Sequence, residues 1–388
     1  MHRILIGRSL RGFADGFIAV VLPAYLLALG LGQLEVGIIS TGTLLGSALT
    51  TLAVGRWGHR FSIRRLLLGA SLLMAATGLG FAGFSAFWPL LLVAAVGTLN
   101  PSSGDASVFM PLDHTMLATA PDRTAIFSRY TFFGTMAGAL GALIAGLPEW
   151  LGARLSMLDA LRGMFVLYAL VGLTVWVLYL GLPDPRTTEH KPAAPLGPSR
   201  SIVWRLAGLF SIDSFAGGLV LNSLLALWLF DRFGMSLAAA GAFFFWTGLL
   251  SAVSQLAAGP LARRIGMVNT MVFTHIPSSL CLIGAALAPT LELALGLLLA
   301  RSLLSQMDVP ARGAFVMSVV TPAERPAAAS FTAVPRSLAA ALSPTLTRAL
   351  FAAGAMATPL IACGVLKIAY DLALFAAFRR AEAGMERA

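Results

Sequence analysis

Arg301, Asp308 and Arg312 stand seven and four residues apart in a stretch that is otherwise apolar. On one continuous helix that spacing puts all three on a single face. Asp308 can then bridge two guanidinium groups or leave one of them for an anionic ligand; a static buried ion network is the alternative reading. Acids recur in similar settings. RGFADGF at 11–17 carries Asp15, FSIDSFAGG at 210–218 carries Asp213, and Asp105 follows the polar interruption PSSG at 101–104. An ionisable group in hydrocarbon is costly, so it is paired, turned to a water-filled path or placed to snorkel. Asp15 follows Arg11 by four residues, which reads equally as a local salt bridge and as a proton site. Asp213 has no base at that spacing and is the stronger proton-site candidate. Desolvation disfavours its charged form, so it can load and release a proton as solvent access alternates. Asp15, Asp213 and Asp308 are therefore the candidate proton carriers. Arg301, Arg312, Asp105, Asn222 and Gln306 are the candidate ligand contacts, with the arginines favouring carboxylate or phosphate. Lys367 and Asp371, four apart, read as a structural pair, and Asp113 with His114 as a gate or solvated edge.

These side chains sit in an oily chain. Of 388 residues, 58% are hydrophobic and only 11% charged, against about 25% charged in soluble domains. Mean hydropathy is +0.84. A hydrocarbon core of about 30 Å is crossed by about 20 helical residues. Twelve runs qualify: 12–30, 34–54, 64–83, 86–110, 127–147, 161–181, 202–229, 237–257, 267–287, 291–319, 327–350 and 355–376. They are too long and too continuously apolar for barrel strands. With both termini cytoplasmic, 20 of the 27 Lys and Arg residues fall on or near the inner side, 4 on the outer side and 3 within spans. That asymmetry obeys the positive-inside rule and assigns the net charge of +10 to a membrane face, not to nucleic acid. Residues 183–200, PDPRTTEHKPAAPLGPSR, form a cytoplasmic linker, dividing the chain into bundles 1–182 and 201–388. The expectation is an all-α polytopic membrane protein of twelve transmembrane helices in two pseudo-symmetric six-helix bundles. Cys281 and Cys363 read as small apolar residues. The N-terminus shows no cleavable leader pattern, and no P-loop, HExxH, nucleophile elbow or metal-ligand cluster stands out, so neither enzymatic chemistry nor a cofactor is expected.

The halves echo each other in three places. Asp15 matches Asp213. GRWGHRFSIRR from Gly55 matches GPLARRIG from Gly259, and TAPDRTAIFSRYTFFG from Thr119 matches TPAERPAAASFTAVPRSL from Thr321. The whole arrangement resembles the major facilitator superfamily of twelve-helix secondary transporters. The family's motif after the second helix runs glycine, three residues, aspartate, arginine, a bulky residue, glycine, then basic residues. Gly55, Arg60, Phe61, Arg64 and Arg65 match it, while His59 holds the aspartate position and Ser62 that of the second glycine. The second copy keeps Gly259, Arg264 and Gly266, with Arg263 where an acid would sit.

The resemblance implies that helices 1, 4, 7 and 10 line a central cavity, which is where Asp15, Asp105, Asp213 and Asp308 fall. It puts His275 at the periphery. It also implies a cytoplasmic gate built from His59, Arg60, Arg64, Arg65, Asp122, Arg123, Arg264, Glu324 and Arg325. The function implied is secondary active transport of a small solute by alternating access, coupled to protons or another cation, by a monomer in the cytoplasmic (inner) membrane. An uncoupled facilitator and a transport-inactive membrane receptor or assembly protein on the same fold are the alternatives.

Overall fold

The computed structural model describes the chain apart from residues 58–59, 101–107, 118–122, 153–154, 184–196, 322–323 and 386–388. The helices of the first half are α1 (His2–Ala28), α2 (Gln33–Trp57), α3 (Ile63–Gly83), α4 (Phe87–Val96), α5 (Phe109–Leu117), α6 (Arg123–Leu143), α7 (Leu147–Leu151) and α8 (Met157–Leu180). Those of the second are α9 (Arg200–Leu219), α10 (Asn222–Phe233), α11 (Leu237–Ile265), α12 (Met267–Leu287), α13 (Leu291–Leu304), α14 (Asp308–Val319), α15 (Arg325–Ala352) and α16 (Thr358–Met385). Among the described residues, nine helical segments are long and apolar enough to cross a membrane. The protein is thus an all-α polytopic membrane protein.

Three of the twelve expected spans are interrupted. Residues 86–110 break after α4, at Gly97–Asn100. Asn100 precedes Pro101, and a residue before proline is driven out of the helical region. Residues 202–229 break at Val220–Leu221, between α9 and α10. Residues 291–319 break at Ser305–Met307. There Pro310 lacks an N–H and its ring would clash with the carbonyl four residues back, so it is tolerated only in the first turn of a new helix. Other ends carry ordinary signals. The Ser156 hydroxyl caps α8, accepting from the Asp159 N–H at 3.1 Å and donating to its carboxylate at 2.6 Å, a side-chain N-cap. Gly234 closes α10 at φ +62°.

Two compact units account for the contacts. The first comprises residues 1–190, 221–246 and 344–354. In it α1 packs along α6 and α8, and α3 along α8. Gly12 and Gly16 of α1 face Gly134 and Gly138 of α6, four residues apart on each helix. A Cβ at Gly16 would collide with the Gly138 carbonyl oxygen, so two backbones touch where side chains would hold them apart. In the same unit the Glu149 carboxylate accepts from the Leu237 and Ala238 N–H groups at 2.5 and 3.1 Å, capping α11. Fully buried Arg348 donates to the Gln33 carbonyl at 2.9 Å and lies 4.0 Å from Asp231.

The second unit comprises residues 191–220, 247–343 and 355–388. Here α12 packs on α13, α14 and α16, and α9 on α16. Its core includes Leu206, Phe210, Met271, Phe315, Tyr370 and Leu374. The outward residues are those that a soluble protein would hide. Trp88, Leu92, Leu256 and Leu342 are all more than half exposed, as a lipid-facing surface requires.

Candidate functional site

The second unit holds a buried cluster of charges drawn from four helices. Asp213 on α9 accepts from the Lys367 ammonium of α16 at 2.6 Å through Oδ1, and from the Arg312 guanidinium of α14 at 2.9 Å through Oδ2. Arg312 also meets Asp308 at 3.5 Å, one turn earlier on its own helix. His275 of α12 has Nε2 at 3.3 Å from the Lys367 nitrogen and Nδ1 at 2.9 Å from Asp371 Oδ1. Arg336 of α15 stands nearby, its Nε donating to Ser214 at 3.1 Å. Three cations (Arg312, Arg336, Lys367) and three anions (Asp213, Asp308, Asp371) balance with a neutral histidine. Buried charge survives in a low dielectric only when so compensated.

The first unit has a smaller cluster. Arg11 of α1 donates to Asp113 of α5 and to the Tyr179 hydroxyl of α8, and stacks over the Phe109 ring at 4.2 Å. The Tyr130 hydroxyl of α6 donates to Asp113 at 2.8 Å. The two clusters carry opposite polarity: α1 supplies a cation and α9 an anion.

Several sequence expectations change on these facts. Arg11 turns to Asp113, so the Arg11–Asp15 bridge expected from spacing gives way; Asp15 is buried on α1. Asp113 is fully buried and not a solvated edge. Asp213 has two strong cationic partners, but they come from other helices. Lys367 and Asp371 do not pair in the way their spacing suggests, because His275 takes Asp371 and Lys367 reaches Asp213. Asp308 meets Arg312 and not Arg301, since the break at Ser305–Met307 takes Arg301 off the shared face. Arg301 has no carboxylate partner among the described residues, and its electrostatic neighbours are Cys281 and Cys363. Gln306 lies half-buried in that break, and Asn222 opens α10 in the other unit.

Of the gate candidates, Arg60, Arg65 and Arg264 are exposed, and Arg64 donates to the Leu180 carbonyl at 2.5 Å. Glu324 accepts from the Gly197 N–H and from the Thr321 hydroxyl at 2.7 Å. Hydrogen bonds from Ser199, Thr321 and Gly197 lower its pKa from 4.5 to about 2. His59, Asp105 and Asp122 lie outside the described residues, as do the side chains of Arg123 and Arg325.

Residues 4–305 match the sequence profile of the Major Facilitator Superfamily. The chain belongs to that superfamily. An uncharacterized membrane protein of Saccharomyces cerevisiae is 24% identical, over 97% of this chain and 94% of its own. An uncharacterized MFS-type transporter of Enterobacter sp. (strain 638) is 27% identical over 74% of each. Among solved structures, a mutant of the nucleoside transporter NupG superposes with a TM-score of 0.76 at 15% identity, covering 97% of this chain and 99% of that one. A bacterial homologue of the human lysosomal transporter Spinster, inward-facing and occupied, gives 0.74 at 17% identity, covering 97% and 96%. These structures share the fold. As a superfamily member the protein has the architecture of alternating-access transporters.

Superfamily membership was thus legible in the repeat and the spans. His275 and Asp113 were not legible as cluster members. The one signal available for each was its presence as an ionisable group in an apolar helix.

Proposed function

We propose that the protein is a secondary active transporter that moves a small solute by alternating access, with protons or another cation as the coupling ion. Membership of the superfamily supports the transport class. The observation that carries the coupling is the buried cluster around Asp213 and Asp308, where charges from four helices meet in a unit built to lie in a membrane. Such a cluster is a proton- or ion-handling device when its pairings change with solvent access. The twelve spans form two pseudo-symmetric six-helix bundles, 1–182 and 201–388, joined by the linker at 183–200. In this reading α4 with α5, and α13 with α14, are interrupted spans, consistent with discontinuous helices lining a path. Both termini face the cytoplasm, and the monomer is the working unit in the inner membrane. A substrate carrying carboxylate or phosphate suits Arg301, which has no acidic partner among the described residues.

Purified protein in proteoliposomes tests this. Substrate accumulation driven by an inward proton gradient, with counterflow when the gradient is absent, is the expected result. Counterflow with no response to any ion gradient would leave an uncoupled facilitator, and no flux at all would leave a receptor.

A further inference from the structure

The resemblance places His275 at the periphery of the bundle, yet its side chain is only 4% exposed and stands between two carboxylates. Nδ1 lies 2.9 Å from Asp371 Oδ1, and Nε2 lies 4.0 Å from Asp213 Oδ1. An ionised carboxylate only accepts hydrogen bonds, so Asp371 fixes the proton of neutral His275 on Nδ1. Nε2 is then a lone pair, and it faces the Lys367 ammonium at 3.3 Å. The result is a chain of contacts: Asp371, His275, Lys367, Asp213, Arg312, Asp308.

The charged groups around this histidine come from every helix packed on it. Lys367, Asp371 and the Tyr370 hydroxyl come from α16, with the Tyr370 ring 6.2 Å from the imidazole. Asp213 comes from α9, and Asp308 and Arg312 from α14 reach the histidine only through Asp213. Arg301 lies on α13, beside Cys281 and Cys363, and Arg336 on α15 beside Ser214.

Asp213 and His275 can each receive a proton, with unequal consequences. A proton on Asp213 removes the anion shared by Lys367 and Arg312. Arg312 keeps Asp308 at 3.5 Å, but Lys367 loses the carboxylate it bonds, and an uncompensated buried charge is strongly destabilising. A proton on His275 Nε2 creates an imidazolium between Asp371 and Asp213. The hydrogen bond from Lys367 to that nitrogen is replaced by a like-charge contact at 3.3 Å, which the Asp371 and Asp213 carboxylates on either side offset. Lys367 keeps its 2.6 Å bond to Asp213.

We propose that the His275–Asp371 pair carries the coupling proton, while Asp213 stays ionised as the anchor that holds Lys367 and Arg312. Loading forms one N–H bond at Nε2, with the proton taken from solvent. Unloading returns that proton to solvent and restores the Lys367 contact; no other covalent bond changes. The inference rests on the ion-coupled reading above and names the group that does the coupling.

Nitrogen-15 NMR of full-length protein labelled at histidine tests it directly, because the chain has five histidines and H275Q identifies the signal. The expected neutral form is the Nδ1–H tautomer, converting to imidazolium when the sample is acidified from about pH 9 to about pH 5. D371L, which removes the acceptor, should abolish the Nδ1–H preference. A neutral Nε2–H tautomer, or a signal unchanged over that range, overturns the proposal. Both are read on the wild-type signal, and where H275Q does not fold that signal is assigned by replacing the other histidines instead. In proteoliposomes H275Q should retain counterflow and lose accumulation driven by a proton gradient. Accumulation retained by H275Q overturns this inference alone. Wild-type accumulation that ignores the gradient overturns the coupled reading as well.

Discussion

At the scale of single residues, the pairing around Asp213 has a consequence for stability. K367A leaves Arg312 as its remaining strong partner, and breaking one side of a buried ion pair costs about 3–5 kcal/mol. The expected outcome is a large fall in the thermal midpoint of the detergent-solubilised protein, followed by tryptophan fluorescence. Replacing both members with apolar residues, D213L with K367M, should recover most of that fall, because Arg312 still has Asp308 at 3.5 Å. A double variant no more stable than K367A would mean that Lys367 acts other than by compensating Asp213. The acid itself was visible in FSIDSFAGG; its partners were not. Helical spacing reports only neighbours three or four residues away, while Arg312 and Lys367 are 99 and 154 residues distant. Arg11 misled for the same reason: its own helix offers Asp15, but packing delivers Asp113, 102 residues on.

At the scale of elements, the contact of α1 with α6 depends on having no side chain at Gly16. G16V must push two backbones apart, and overpacking of this kind costs about 1–3 kcal/mol or more. We expect a clear loss of folded, monodisperse protein on size-exclusion chromatography. G69A, on α3 where a Cβ meets nothing within 4 Å, should behave as wild type and serves as the control. Normal yield from G16V would show that the helices separate without cost. The glycine spacing was available in the sequence, at 12 and 16 and again at 134 and 138. Its partner helix was not, since two small-residue stripes do not say which stripe each one meets. The break before α14 is a different case. Pro310 marks it in the sequence, but neighbouring helices let a membrane helix tolerate an internal proline, so 291–319 reads as one continuous helix and puts Arg301 on a face it does not share.

At the scale of the whole molecule, Gly197 lies in the last residues of the linker at 183–200, and Glu324 fixes that end by accepting from Gly197, Ser199 and Thr321. Its pKa is lowered from 4.5 to about 2, so the contribution of these hydrogen bonds is fully present above about 4.5 and is lost as pH falls through 2. Hydrogen exchange at residues 197–200 should therefore be insensitive to this group between pH 5 and 8, once corrected for the intrinsic rate. E324A should raise exchange there throughout that range. Equal protection in the variant would show that the carboxylate does not hold the linker. Any pH dependence of transport near neutrality must then arise elsewhere, which keeps the Glu324 contact separable from the histidine proposal.

Composition, the length of the apolar runs and the internal echoes determined by themselves that this chain is a helical membrane protein of the transporter superfamily. Those properties follow from hydrocarbon thickness and backbone hydrogen bonding, which act on each segment locally. The membership of the charge clusters was decided only by the tertiary structure. It is set by which helices touch, and a buried charge takes its partner from whichever neighbour the packing brings within about 3 Å. RGFADGF and FSIDSFAGG look alike as strings, yet α1 contributes Arg11 to its buried pair and α9 contributes Asp213.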